Sequence, residues 1–160
     1  MNIFALDDDP TLAARAQCNS HVVKMTLESA QMLCTVAPTF VPGVDVPYRP
    51  THRSHPCTLW AVSSVHNLAW LLVHARALAD EYTRRYGRRH ASAQVIELVY
   101  DAVPVGDPRL HTQFAQAMPP ELRGTDPVEA YRRYYVVVKS TFARWAPRAV
   151  APVWWPDASA

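Results

Sequence analysis

The chain has 160 residues, 49% of them hydrophobic, with five Trp and seven Tyr. That is enough apolar material for one packed core and too much for a disordered chain. The formal charge is only +2, and no apolar run approaches the roughly 18 residues of a membrane span, which excludes a spanning helix. Cys18, Cys34 and Cys57 are odd in number and irregular in spacing, so a reducing compartment is expected rather than a disulfide framework.

The opening MNIFALDDD lacks the basic stretch of a signal peptide and begins with a short apolar segment, Asn2 to Leu6. Asp9 followed by Pro10 predicts the capped start of a short helix. From His21 to Ala37 the spacing predicts a long helix that stops before Pro38. At 100° per residue, Val22, Val23, Thr26, Leu27, Ala30, Leu33, Cys34 and Ala37 fall on one side. His21, Lys24, Glu28 and Gln31 fall on the other, flanked by Met25 and Met32. An acid/base group, a cation and an anion thus share one narrow strip. It reads either as a wet helix face with an i,i+4 ion pair or as the working edge of an active site.

Residues 38–56 hold five prolines and one glycine, which predicts a long ordered loop. Its end carries Arg49, His52, Arg53 and His55 within seven residues, a set suited to phosphate. A zinc reading of His52, His55 and Cys57 with Cys18 or His21 lacks paired spacing. A short helix follows Pro56, then a long one over 63–86, ended by Gly87 with Arg84, Arg85 and Arg88 at its negative end. Residues 92–102 read as helix and 103–124 as Pro- and Gly-rich loop. Asp126 as N-cap, Pro127 at N1 and Glu129 at N3 begin a last helix, expected to reach about Arg144. Its Tyr131, Tyr134, Tyr135, Val138, Phe142 and Trp145 form an aromatic stripe read as core ahead of a base-stacking platform, and Trp154-Trp155 as a closing element of that core ahead of a wedge into nucleic acid. Strand signals are nearly absent. The expectation is an all-α single compact domain over 1–160, of about five helices with long Pro-rich loops.

Charge is segregated. Residues 49–90 carry seven basic and two acidic groups, and residues 123–148 six and two, while 1–48 and 91–122 are each net −3. If the two basic segments share one side, Arg84, Arg85, Arg88, Arg89, Arg132, Arg133 and Lys139 supply a DNA-binding face. That charge alone also suits a non-enzymatic DNA-binding accessory protein. Cys34 reads as packing, and Cys18 or Cys57 as a nucleophile only if a neighbouring His lowers its pKa.

The phrases MNIFALDDDP, CNSHVVKMTLESAQML, HRSHPCTLWA, DEYTRRYG and EAYRRYY together resemble a family of small tailed-phage proteins of the pyrimidine-dimer DNA glycosylase type. Within that neighbourhood the chain also resembles the amino acid:DNA transferases of thymine hypermodification. The resemblance implies an endonuclease V-like helical fold and a double-stranded DNA substrate in the cytoplasm of an infected bacterium. It further implies transfer of a free amino acid, glycine foremost, onto 5-phosphomethyl-deoxyuridine with loss of phosphate. In that reading Glu28, His21 and Lys24 are catalytic, His52, Arg53, His55 and Arg49 hold the phosphate, the base is flipped out of the stack, and no cofactor or metal takes part. The alternative is a pyrimidine-dimer-type DNA glycosylase/AP lyase. His21 and Glu28 keep the seven-residue spacing of those enzymes, whose nucleophile is a terminal α-amine. Asn2 following Met1 implies that the amine stays on Met1, and Leu27 stands where those enzymes carry an arginine.

Overall fold

The computed structural model describes residues 1–104 and 106–156. Among them the regular structure is all helical, in the order α1 (Pro10–Ala16), α2 (Asn19–Phe40), α3 (Pro56–Val62), α4 (Val65–Tyr86), α5 (Ala93–Ala102) and α6 (Pro127–Tyr134). Two short 3₁₀ turns, Pro108–Leu110 and Pro120–Leu122, interrupt the loop before α6.

The helix starts follow from local chemistry. Asp9 accepts the amide hydrogens of Thr11 and Leu12 with Pro10 at the first position, and Asp126 does the same for Val128 and Glu129 ahead of α6. Ser64 caps α4, and Gly87, at φ 67°, closes it in the left-handed region. Helices α2 and α4, 22 residues each, form the central pair; α1 and α3 pack on α4, and α5 spans the two.

Three expectations change. Helix α2 runs through Pro38 to Phe40, because a proline in the last turn forfeits one amide bond that little helix depends on, and Val41 still donates to the Ala37 carbonyl. The last helix ends at Tyr134 and widens into a π-turn over Tyr135–Lys139. The run Val136-Val137-Val138 is poor in helix propensity, and the wider turn carries Tyr135 into the core and Lys139 toward α2. The apolar side of α2 is also rotated from its sequence reading: Met25 and Met32 are buried, whereas Val23 and Leu27 are 38% and 40% exposed.

The segment Asn2–Leu6 is a buried thread rather than a strand. Ile3, Phe4, Ala5 and Leu6 lie in the core. Asn2 donates to the Ala117 carbonyl at 2.8 Å and accepts the Phe4 amide at 3.0 Å. Gln17 donates to the Ile3 carbonyl, and Arg132 to that of Leu6. This thread brings Met1 to the middle of α2.

Candidate active site

Glu28 lies on the half-open stripe of α2, its side chain 13% exposed. Its Oε2 stands 3.4 Å from the α-ammonium of Met1, and its Oε1 3.6 Å from Lys24 Nζ. The Met1 side chain is 1% exposed, and the Thr58 hydroxyl donates to its sulfur at 3.6 Å. A buried thioether therefore fixes a charged amine against a carboxylate. The approach is not aligned as a hydrogen bond: Oε2 is buried and has no hydrogen-bond partner among the described residues. An unsatisfied buried carboxylate oxygen is costly, and such atoms mark either strain or chemistry.

The cationic loop reaches the same place. Thr35 on α2 donates its hydroxyl to the Thr51 carbonyl at 3.1 Å and accepts the Thr51 amide at 3.0 Å, which staples the loop to the helix. His52, at φ 50°, turns the chain and accepts the His55 amide on its carbonyl. His55 then accepts the Cys57 amide on Nδ1 and caps α3. The His55 pKa is lowered, first by burial, then by the Met1 ammonium and His52, with Glu28 opposing. His55 caps the helix whose Thr58 donates to the Met1 sulfur, which sets it on the Met1 side of the site. Arg49 and Arg53 stand exposed with no ion-pair partner among the described residues.

His21 is not on a wet strip. Its ring is buried, stacked on Phe4 at 4.5 Å and met edge-on by Tyr135 and Phe142. Nδ1 is hydrogen-bonded to the Tyr135 hydroxyl. Burial, then Lys139 and Lys24, lowers the His21 pKa to about 4, so the ring is neutral at physiological pH. Phe4 holds its place at φ 41°, a backbone conformation unusual for an aromatic residue.

The basic candidates separate into two groups. Arg85 has no exposed side-chain surface. It donates to Glu81 at 2.9 Å and to the carbonyls of Gln17 and Arg15 at 2.8 and 2.9 Å, so the expected DNA contact does not hold for it. Arg132 is half-buried and tied to the Leu6 carbonyl, Asp7 and Glu129. Arg84 spends two hydrogen bonds on Glu81, and Arg133 donates to the Leu122 carbonyl. Arg88 gives its Nε to the Tyr82 hydroxyl, and Arg89 is exposed. The basic segments do meet: Arg148 donates to the Arg85 carbonyl and lies over the Tyr86 ring at 4.7 Å.

Tyr131 and Tyr135 are core residues and Trp155 packs on Trp145 at 4.8 Å, as expected; Val138 and Phe142 of the same stripe are exposed. All three cysteines are free and buried. Burial pushes the Cys57 thiol up to about 11 and raises that of Cys34, which disfavours either as a nucleophile. Among the described residues no cluster of three His, Cys, Asp or Glu is placed to hold a metal.

The family model for pyrimidine dimer DNA glycosylase matches residues 1–94, the stretch that contains the buried thread, α1 to α4, Glu28 and the cationic loop. The chain belongs to that family and is a DNA glycosylase-like protein. No curated protein and no solved structure matches it. The sequence singled out Glu28, Lys24 and the loop, but Thr58 and Phe4 carried no signal; the clue to Met1 was the Asn2 that follows it.

Proposed function

We propose that the protein is a DNA glycosylase with abasic-site lyase activity, acting on an extruded damaged pyrimidine nucleotide in double-stranded DNA, with the Met1 α-amine as nucleophile and Glu28 as its proton acceptor. The supporting observation is the buried, unpartnered Glu28 Oε2 held 3.4 Å from that amine. The amine, once it has shed a proton to Glu28, attacks C1′ of the target deoxyribose. A C–N bond forms, the C1′–N1 bond breaks, and the base departs with the bonding pair and takes up a proton. Ring opening yields an imine, which acidifies C2′–H; removal of that proton expels the 3′ phosphate by β-elimination. A carboxylate 3.4 Å from the amine needs only a small approach to take its proton. Lys24 stands at the same carboxylate, His55 caps the helix that carries Thr58 to Met1, and the exposed Arg49 and Arg53, with His52 on the same loop, are assigned to the flanking phosphates.

Borohydride reduction in the presence of duplex DNA carrying a cyclobutane pyrimidine dimer or an abasic site tests this. A covalent adduct is expected, mapping by peptide mass to Met1 and lost in Glu28→Gln. Release of neither base nor strand, and no adduct on either duplex, would overturn it.

One observation favours a second reading, transfer of glycine or another free amino acid onto 5-phosphomethyl-deoxyuridine in phage DNA within the infected host. A loop bearing two histidines and two arginines is stapled to α2 through Thr51 and Thr35, and Leu27 replaces the arginine expected of the glycosylases. There the amino acid's nitrogen bonds to the 5-methylene carbon, the carbon–oxygen bond to phosphate breaks, and Glu28 takes the amine proton. Incubation of such a duplex with glycine, followed by nucleoside mass analysis, separates the two. A glycinyl nucleoside without strand cleavage supports transfer, and its absence with any amino acid excludes it.

A further inference from the structure

We propose that His21, Lys24 and Lys139 form a seat for one backbone phosphate of the DNA strand that carries the target nucleotide. The inference rests on the DNA-acting reading above, and it gives His21 a positioning role rather than a proton-transfer one.

The tautomer of His21 comes first. Tyr135 is wholly buried, and its hydroxyl is held well above the ordinary tyrosine range by that burial. It therefore stays protonated, and we assign it as the donor to His21 Nδ1. A neutral imidazole that accepts on Nδ1 carries its hydrogen on Nε2. That Nε2 has no protein partner among the described residues, and 6% of the His21 surface stays exposed. A fixed N–H donor thus meets the surface without a protein acceptor.

Two cations flank it. Lys139 is delivered by the π-turn, with Nζ 4.5 Å from the centre of the Tyr134 ring and 5.9 Å from that of Phe4. Phe4 is the ring stacked on His21. Lys139 has no carboxylate partner among the described residues. Lys24 lies one turn beyond His21 on α2, its side chain 67% exposed. Both lysines bear on the His21 ring; Lys24 shares its charge with Glu28 at 3.6 Å, and Lys139 has no carboxylate beside it among the described residues. Two ammonium groups around a neutral N–H donor suit a singly charged oxyanion with several acceptor oxygens, which a phosphodiester supplies. Two local irregularities, the left-handed Phe4 and the π-turn, converge on this spot, and such irregularities concentrate at functional sites. The seat begins two turns from Glu28 on the same helix, so a phosphate held there places the strand alongside the carboxylate.

Fluorescence anisotropy with a duplex carrying a tetrahydrofuran abasic-site analogue tests the seat without requiring turnover. Lys139→Gln is expected to weaken binding about tenfold near 0.1 M salt and to lower the salt slope by about one. Lys139→Arg should restore both, which a purely structural contact with Tyr134 would not require. Methylphosphonate substitution, phosphate by phosphate around the analogue, should reveal one position where wild type loses affinity and Lys139→Gln loses nothing more. Equal affinity and slope in Lys139→Gln, or no such shared position, overturns the seat and leaves the glycosylase reading standing. Failure of the wild type to bind the duplex overturns both.

Discussion

Glu28 on α2 and Glu81 on α4 are both largely buried carboxylates on 22-residue helices, each beside two cationic groups, yet their surroundings differ in kind. Glu81 receives two hydrogen bonds from Arg84 and one from Arg85, and Arg85 in turn is bonded to the carbonyls of Gln17 and Arg15. Every charge there is answered, and the arginines hold the Glu81 pKa down against the upward push of burial. Glu28 faces an ammonium at 3.4 Å and a lysine at 3.6 Å, and one of its oxygens has no hydrogen bond. A satisfied network fixes structure; an unsatisfied one is free to accept a proton or a substrate. The arginine-rich end of α4 is thus largely spent on the fold, while the charge at the middle of α2 is still available.

The largest expected effect lies at Glu28. Glu28→Gln should lower turnover by about a thousandfold, the range of a lost proton-transfer group, while duplex binding persists and stability to urea changes by less than about 1 kcal/mol. If the variant turns over normally, the contrast with Glu81 collapses. The converse substitution, Glu81→Gln, strands the buried Arg85. It should cost about 3 kcal/mol in urea unfolding and leave the activity per folded molecule intact. Loss of activity in a folded Glu81→Gln protein would mean that the network also shapes the site.

Acidification separates the regions again. His74 is wholly buried, stacked on Trp70 at 4.8 Å and close to Gln17, and burial lowers its pKa to about 3. His21 is lowered to about 4. The folded state refuses these protons while the unfolded chain takes them up, so stability is full above about pH 6.5 and falls as pH drops toward 4. Each histidine contributes roughly 3 kcal/mol across that window. The Glu81 contribution has the opposite origin: it is present above the ordinary carboxylate pKa and lost only as pH falls through the depressed value. Urea midpoints between pH 7 and 5 should therefore decline, and His74→Phe should roughly halve the decline. An unchanged slope in that variant would place the titration elsewhere.

Much of the scaffold was legible in the sequence because its signals are local. Asp9-Pro10, Gly87 and Asp126-Pro127 sit where the helices begin and end. What local periodicity could not carry was set by distant partners. His21 is buried because Tyr135, 114 residues away, and Phe4 on the N-terminal thread enclose it. Arg85 leaves the surface because carbonyls 68 and 70 residues away accept its hydrogens. Val23 and Leu27 look like core on a helical wheel and are exposed, whereas Met25 and Met32 are covered on the side where the N-terminal thread and the 38–56 loop reach α2. The spacing of Lys24 and Glu28 was visible, but the α-amine opposite them required the path of the buried thread.

The smallest expected effect compares the two exposed cations of the paired carboxylates. Arg84 and Lys24 have side chains 55% and 67% exposed, so each ion pair is screened by water and contributes well under about 1 kcal/mol to stability. Arg84→Ala and Lys24→Ala should be alike in urea. They should differ on DNA. The Arg84 guanidinium already donates two hydrogen bonds to Glu81, and its removal should change affinity for an abasic-site duplex by less than about twofold, since an occupied guanidinium releases few counterions on binding. Lys24 lies between His21 and Glu28, and its ammonium, held only by the 3.6 Å ion pair to Glu28 with no hydrogen bond, keeps its donors for a phosphate, so its removal should weaken binding severalfold and lower the salt slope. Equal losses for the two variants would mean that charge near these helices acts diffusely, rather than through the open carboxylate on α2 and the phosphate seat beside it.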